Sequence, residues 1–393
     1  MPVIQTQRHG RQTSGWSVTF TPDYLRKENN EIGKPQVSMK SWLSKIPVLL
    51  LFNLDPNWPV HDQEEVLSIT SQLEKAMASF GCQTTLVPVT DNNLDILLSP
   101  YDPLEHIVFN WCESLPGIAR SERLVAEYLE QRGFAFTGAS SAALALAQDK
   151  FGIKQLLDEM GIPTPRWQTY NCTSNVKWNR FPAIVKPSRE HCSEGIDRGA
   201  IVMTKPELIN RISYILEKFR QPVLVEDFID GRELHVSLWE NDSLDMLPPA
   251  EMDFSLFKDV HDRICSYEAK FIPASEQYQK INTLLPAPLS EDELLRVEQI
   301  CKATYLVAGC RDYARIDMRI RDGILYVIDV NPNADLSTDT STISAAEFAG
   351  YTYGEFGGLI VSLAARRHPV LGKKIGIYNP MLSPIYPRSN QIK

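Results

Sequence analysis

The chain has 393 residues, 43% of them hydrophobic, and a formal charge of -9, which allows two or three domains with a substantial core and excludes general affinity for nucleic acid or anionic membranes, so that an anionic ligand would need a locally basic cleft. Seven cysteines without a CxxC pair suit a reducing cytoplasm better than a disulfide framework or a zinc site. No apolar run approaches the roughly 18 residues of a membrane span, and the opening MPVIQTQRHGRQ lacks the order of a signal peptide, so a cytoplasmic protein is expected.

In chain order, residues 1–45 read as a polar N-terminal extension with the composition of a flexible segment. From Ile46 the pattern becomes regular: an apolar strand, PVLLLFNL, a helix over 63–80, strands over 83–89 and 106–111, a helix over 120–132, and a short strand ending at Thr137-Gly138. The stretch ASSAALALAQDKFGIKQLLDEMG reads as one helix stopped by Gly161-Ile162-Pro163. Alternating strands and helices predict an α/β unit, a parallel sheet with helices on its faces, over 46–140. Beyond Pro163 the character shifts to strands with polar tips, FPAIVKPS, PVLVEDFI and ELHVSLWE, with helices over 205–219 and 291–307. This predicts an α+β half divided into 141–240 and 241–375, a tail over 376–393, and a cleft between the halves as the candidate site.

The segment ARIDMRIRDGILYVIDVNPNA, residues 314–334, reads as two strands around an Asp-Gly turn. Ile316, Met318 and Ile320 alternate with Arg315, Asp317 and Arg319; Ile324, Tyr326, Ile328 and Val330 alternate with Leu325, Val327, Asp329 and Asn331. A two-residue loop would set Asp317 opposite Ile328 and split the apolar faces, so a three-residue loop, Arg321-Asp322-Gly323, is expected, with Ile316 opposite Ile328 and Arg315 facing Asp329. Asp317, Asp329 and Asn331 would then offer the oxygen ligands that suit magnesium with substrate phosphates. The same pattern also describes a solvated strand face that needs no function.

FPAIVKPSREHCSEG delivers Lys186 at a strand end and runs into a polar loop able to close over phosphates, without the Walker glycine spacing. The following strand places Glu226, Asp227 and Phe228 before Gly231, with Glu233 beyond, where backbone groups could read a base edge and Glu233 a ribose.

Taken together, FTGASSAALALAQDK, FPAIVKPSRE, VLVEDFIDGRELHV, YEAKF and ARIDM followed by IDVNPN closely resemble, in family order over residues 136–335, the ATP-grasp superfamily and its D-alanine–D-alanine ligase branch. The resemblance implies a pre-ATP-grasp domain before a two-part ATP-grasp domain, ATP and Mg2+ as cofactors, amino-acid substrates, and commonly a homodimer. The reaction it implies is phosphorylation of a carboxylate by ATP, attack of an amine on the acyl phosphate, and release of ADP and phosphate. Carried over, Lys150 and Lys186 would hold phosphates, Lys270 would reach the γ-phosphate, and Glu226, Phe228 and Glu233 would line the adenosine. Asp317, Asp329 and Asn331 would hold magnesium, Arg315 would stabilise the oxyanion, Ser193 would act from the loop, and Glu65 would orient the first substrate's amino group.

The chain departs from the family where Phe271 follows the YEAKF lysine in place of a tyrosine and where Asp329 replaces a longer glutamate. Cys192 stands with Ser193 where the family has loop serines, Asp335 aligns with the glycine at the oxyanion, Thr340-Ser341 replace a serine-leucine pair, and NWCES replaces the histidine and acidic loop of the first domain. The resemblance therefore implies the reaction type more firmly than the substrates. A ligase for a specialised non-D-alanine substrate, a nucleotide binder without turnover, and a fold kept only for dimer contacts remain as alternatives.

Overall fold

The computed structural model describes residue 44 and residues 47–372 other than 242, together with the backbone of a short strand, Val18–Thr19. The rest of the 1–45 extension and the 376–393 tail lie outside the described residues.

Three sheets carry the architecture. The first is parallel, in the order Gln83–Val89, Pro47–Asn53, Ile107–Trp111, Ala135–Phe136. Its second strand buries every residue from Val48 to Phe52, as a strand covered on both faces must. Helices Val60–Phe80 and Glu122–Arg132 belong to this α/β unit, and helix Tyr353–Arg367 returns from the far end of the chain to pack against the former. The second sheet is antiparallel, in the order Trp167–Tyr170, Val223–Asp227, Ala183–Pro187, Ile201–Val202. Helix Lys205–Phe219 contacts it and buries Leu208, Ile212 and Ile215, one helical face.

The third sheet runs Val18–Thr19, Asn282–Leu284, Ala250–Asp253, Arg232–Asn241, Tyr313–Arg321, Ile324–Asn331, with Ser243–Met246 folded back on Arg232–Asn241. Helix Glu291–Val307, opened by a Ser290/Glu293 capping box, buries Val297, Cys301 and Tyr305 against it. Strand Arg232–Asn241 thus sits in the third sheet, and the chain passes from the second sheet to the third between Asp227 and Arg232.

Two local expectations are corrected. The single helix expected after Ala139 is two, Ser141–Gln148 and Lys150–Glu159. Asp149 leaves the helical region (φ -91°, ψ 92°) and its side chain caps Phe151 N. The break makes Lys150 the first residue of the second helix, and its backbone N–H donates to Ser188 O at 3.1 Å.

The hairpin closes through two residues, Asp322 and Gly323, both at positive φ (54° and 73°), the conformation a type I′ turn requires. Arg321 pairs with Ile324, Arg319 with Tyr326 and Met318 with Val327. Unbroken, this ladder would turn the polar groups of the two strands to opposite faces. A bulge at Ile328 takes up one residue, and from there Asp317 pairs with Asp329, Ile316 with Val330 and Arg315 with Asn331. The apolar face of the second strand is therefore Leu325 and Val327 before the bulge and Val330 after it, all buried, and Arg315 faces Asn331 instead of Asp329. Asp317 and Asp329 share one face because directly paired residues must.

Candidate active site

A cavity of about 620 Å³ lies among the hairpin, the loop after Ala183–Pro187, the short helix Tyr267–Phe271 and the tips of the first sheet. Lys150, Lys186, Ser193 and Lys270 line it together with Arg315, Asp317, Asp329 and Asn331.

On the hairpin, Arg315 donates from Nε to Asp317 Oδ1 at 2.6 Å and from Nη2 to Oδ2 at 2.9 Å. Asn331 Nδ2 donates to the same Oδ2 at 3.1 Å, which leaves its amide oxygen available as a ligand. Burial alone would raise the Asp329 carboxyl, but Lys150, whose Nζ is 3.5 Å away, and then Lys186, His191 and Lys154 bring it down to about 2. Asp329 is thus an anion facing a cavity that lysines border. An all-oxygen donor set on one face of a hairpin fits magnesium.

Beside the hairpin lies a buried ion cluster. Glu226 forms two ion pairs, Oε1 with Lys154 Nζ at 2.6 Å and Oε2 with Lys186 Nζ at 2.7 Å. Burial raises the Glu226 carboxyl, and the two lysines outweigh it and hold the group ionised. Lys154 also donates to Thr164 Oγ1 at 2.7 Å and to Val327 O at 3.2 Å, joining the helix to the hairpin. Sequence reasoning missed Lys154; the signal was its position one helical turn after Lys150, hence on the same face.

The loop 188–196 is fastened to the helix Tyr267–Phe271. Ser193, at φ 60°, donates from Oγ to Cys265 O at 2.8 Å, and Tyr267 N donates to Ile196 O at 3.0 Å. Burial, and then Lys150, push the His191 imidazole down to about 4, so it is neutral near pH 7.

Three expected adenosine-lining residues do not line the cavity. Glu226 is locked between its lysines. Phe228 is buried with Ile184, Ile201 and Ile264. Glu233 is gripped by Arg319, which donates to its Oε2 from Nε at 2.8 Å and Nη2 at 2.5 Å. The Arg319 guanidinium lies 4.7 Å from the Phe228 ring centre and donates to Ile229 O and Arg263 O. Arg319 thus lies against Phe228 and Glu233, and nothing in the alternating pattern of its strand marked it as more than a solvated cation. Glu65 lies half-buried on the helix Val60–Phe80 and also does not line the cavity. Asp62, three residues earlier, is 3% exposed; burial and then Glu194, Cys192 and Asp62 raise the Tyr267 phenol.

The far end of the cavity is acidic. Glu122 Oε1 accepts Asn333 Nδ2 at 2.8 Å, and Asn333 Oδ1 accepts Ala139 N at 2.8 Å. Gly138, at φ 88°, permits this approach, because a Cβ there would overlap the Asn333 amide. Burial pushes Glu122 up to about 8, with Glu113 adding to the rise and the Asn333 bond opposing it. Asp335 accepts Ser337 N at 2.9 Å and Ser337 Oγ at 2.7 Å. Glu122 and Asn333 were not singled out from the sequence; a helix-start glutamate and a loop asparagine carry no signal until the fold joins them.

Residues 150–362 match the family model described as D-ala D-ala ligase C-terminus. Among curated proteins, an uncharacterized protein, y4sG, of Sinorhizobium fredii is 32% identical over 308 residues, 76% of this chain and 88% of that protein. A D-alanine–D-alanine ligase of Marinomonas is 30% identical over 262 residues, 65% of this chain and 78% of its own length. Among solved structures, a Bacillus anthracis D-alanine–D-alanine ligase complexed with ATP superposes with a TM-score of 0.62 at 21% identity, covering 84% of this chain and all of that one, a likeness of fold.

Proposed function

The chain belongs to the D-alanine–D-alanine ligase family of the ATP-grasp superfamily, and on that premise we propose that it is an ATP-dependent carboxylate-amine ligase that forms ADP and phosphate by way of an acyl phosphate and joins two small amino acids. The observation that carries this reading is the hairpin register that puts Asp317 and Asp329 on one face, with Lys150, Lys186 and Lys270 lining the same cavity.

Phosphoryl transfer needs alignment and charge neutralisation more than a protein nucleophile. Lys150, Lys186 and Lys270 would take the phosphate charge. Asp317, Asp329 and Asn331 would hold magnesium, which when bound draws charge from the transferring phosphate. The donor carboxylate oxygen attacks the γ-phosphorus, and ADP carries away the electrons of the broken bond. The acceptor amine then adds to the acyl carbon, the oxyanion forms beside the Arg315 guanidinium, and the carbon–oxygen bond to phosphate breaks as the amide is made, with the amine's proton passing to the departing phosphate or solvent. The loop 188–196, fastened to the YEAKF helix, would keep water from the acyl phosphate. Phe228 and Glu233 can take their expected adenosine roles only in a conformation where Arg319 has moved.

The departures at Phe271 and Asp335, both lining the cavity, favour a second reading, a nucleotide-binding relative without turnover. A panel of D- and L-amino acids and small peptides, assayed in pairs for ADP release, separates the two. Amino-acid-dependent ADP release that disappears in Asp329→Asn supports the ligase; ATP binding without ADP release across the panel supports the binder. No helix among the described residues is long and apolar enough to cross a membrane; a cytoplasmic homodimer is the expected setting, and sedimentation of the purified chain tests the dimer.

A further inference from the structure

Glu233, His235 and Cys265 bring a carboxylate oxygen, an imidazole nitrogen and a thiol sulfur within 4.8 Å of one another. We propose that these three residues form a binding site for a borderline divalent transition cation, of which zinc is the reference, with its open side on the cavity.

Carboxylate, imidazole and thiolate are the donor types zinc takes, and three protein ligands with one open position is the arrangement of a site that exchanges its fourth ligand. The surrounding contacts orient each donor. His235 Nδ1 lies 3.3 Å from Ser341 Oγ, and Nε2 lies 3.6 Å from Glu233 Oε1. Arg319 occupies Glu233 Oε2 and leaves Oε1 toward the other two donors. The Cys265 carbonyl accepts Ser193 Oγ, which fixes the backbone under the thiol. Such outer partners are what hold metal ligands in register. Glu233 is 5% and His235 7% exposed, and His235 lines the cavity, giving an ion a path in.

Two donors come from alternate residues of one strand, and so from one face; the third comes from the residue two before the helix Tyr267–Phe271. A search for paired cysteines cannot find such a set. Burial and the neighbouring Glu233 carboxylate keep the Cys265 thiol protonated without an ion, so binding displaces one proton to solvent as the sulfur-metal bond forms. The site differs from the all-oxygen set of Asp317, Asp329 and Asn331 in its soft donor, which selects a different class of cation. One consequence rests on the ligase reading: because that reading gives Glu233 to the nucleoside, a zinc-class ion and the nucleotide would exclude each other.

The test uses the full chain, stripped of metal and titrated with Co2+, with Zn2+ affinity from equilibrium dialysis. The expected result is one ion per chain and a thiolate-to-cobalt charge-transfer band. Cys265→Ala and the closer-sized Cys265→Ser should both lose the band and bind Zn2+ on the order of 100-fold more weakly; Ser341→Ala should weaken it roughly tenfold. Asp329→Asn should keep the band. Absence of the band in the folded wild-type chain, or unchanged Zn2+ affinity in both Cys265 variants, overturns the site. ATP titration with and without Zn2+ tests the exclusion separately. A chain that binds no ATP would end the ligase reading, while the cobalt spectrum still decides the metal site.

Discussion

The hairpin end of the cavity and the buried ion clusters behind it handle charge in opposite ways. At the cavity Asp329 and Lys150 come no closer than 3.5 Å, and only Arg315 and Asp317 of the hairpin's site residues pair closely, at 2.6 Å. Behind it Glu226 meets Lys154 and Lys186 at 2.6 and 2.7 Å, and Glu233 meets Arg319 at 2.5 Å. Charges that meet closely among themselves frame a fold, whereas charges that border a cavity at longer range are open to a ligand. On the proposed reading the chemistry belongs at the hairpin, with the buried ion pairs as the frame behind it.

The sharpest way to break this comparison is at the hairpin. Asp329→Asn and Arg315→Ala should each lower amino-acid-dependent ADP release about 10²–10³-fold, the scale of removing one preorganised charge from a transition state. Arg315→Ala should leave ATP affinity within about threefold, since its proposed partner exists only along the reaction path. Equal losses in turnover and ATP affinity would remove Arg315 from the chemistry.

The frame gives the next effect. Glu226→Gln strands Lys154 and Lys186 without their shared anion, and breaking a buried pair by removing one partner costs about 3–5 kcal/mol. Urea unfolding should show that loss, and Lys154→Met, which removes one of the two cations, should recover part of it in the double variant. A loss under about 1 kcal/mol would mean that the cluster faces water when the protein is in solution.

Arg319 tests the proposed nucleoside pocket directly. If it closes the space enclosed by Phe228 and Glu233, Arg319→Met should raise ATP affinity roughly tenfold, because the binding-competent form no longer waits for the guanidinium to leave. The same change should destabilise the nucleotide-free chain by about 2–4 kcal/mol through the orphaned Glu233. Weaker ATP binding measured by calorimetry would instead make Arg319 a nucleotide ligand.

How much of this could be read from the residues depends on whether the signal was local. The buried run Val48 to Phe52 and the periodicity of 205–219 and 291–307 report their own environment, and they placed the α/β and α+β halves. The shared face of Asp317 and Asp329 was legible because both sit beside apolar neighbours on short strands. The register was not. Parity forbade a two-residue turn only under unbroken alternation, and the bulge at Ile328 reconciles the turn with the faces. Asp149 could have been seen as a cap, since an Asp before a fresh apolar period is a helix-start signal, but the alanine-rich run masked it. Lys154, Arg319 and Cys265 acquire meaning only from partners 72, 86 and 32 residues away (Glu226, Glu233 and Glu233 in turn), a distance over which one sequence offers no pattern.

The last test is at the acidic end, and it distinguishes a charge awaiting a ligand from one already satisfied. Glu122, pushed up to about 8 in the folded chain, against about 4.3 when unfolded, holds its proton better folded than unfolded. The stability this contributes is complete below about pH 4 and falls as pH rises through 8. Glu122→Gln keeps the Asn333 contact and removes the titration. It should therefore match wild type in unfolding free energy at pH 3 once the shared background is subtracted, and become the more stable of the two as pH rises from about 4 to 8, with the full difference reached by pH 9. At Glu226 the glutamine destabilises, because cations already surround the carboxylate, while here it stabilises, because among the described residues no lysine or arginine is one of the groups acting on Glu122. A bound substrate that offers an ammonium to Glu122 would erase the pH 9 difference, and a difference that survives saturating substrate would place the amine elsewhere in the cavity.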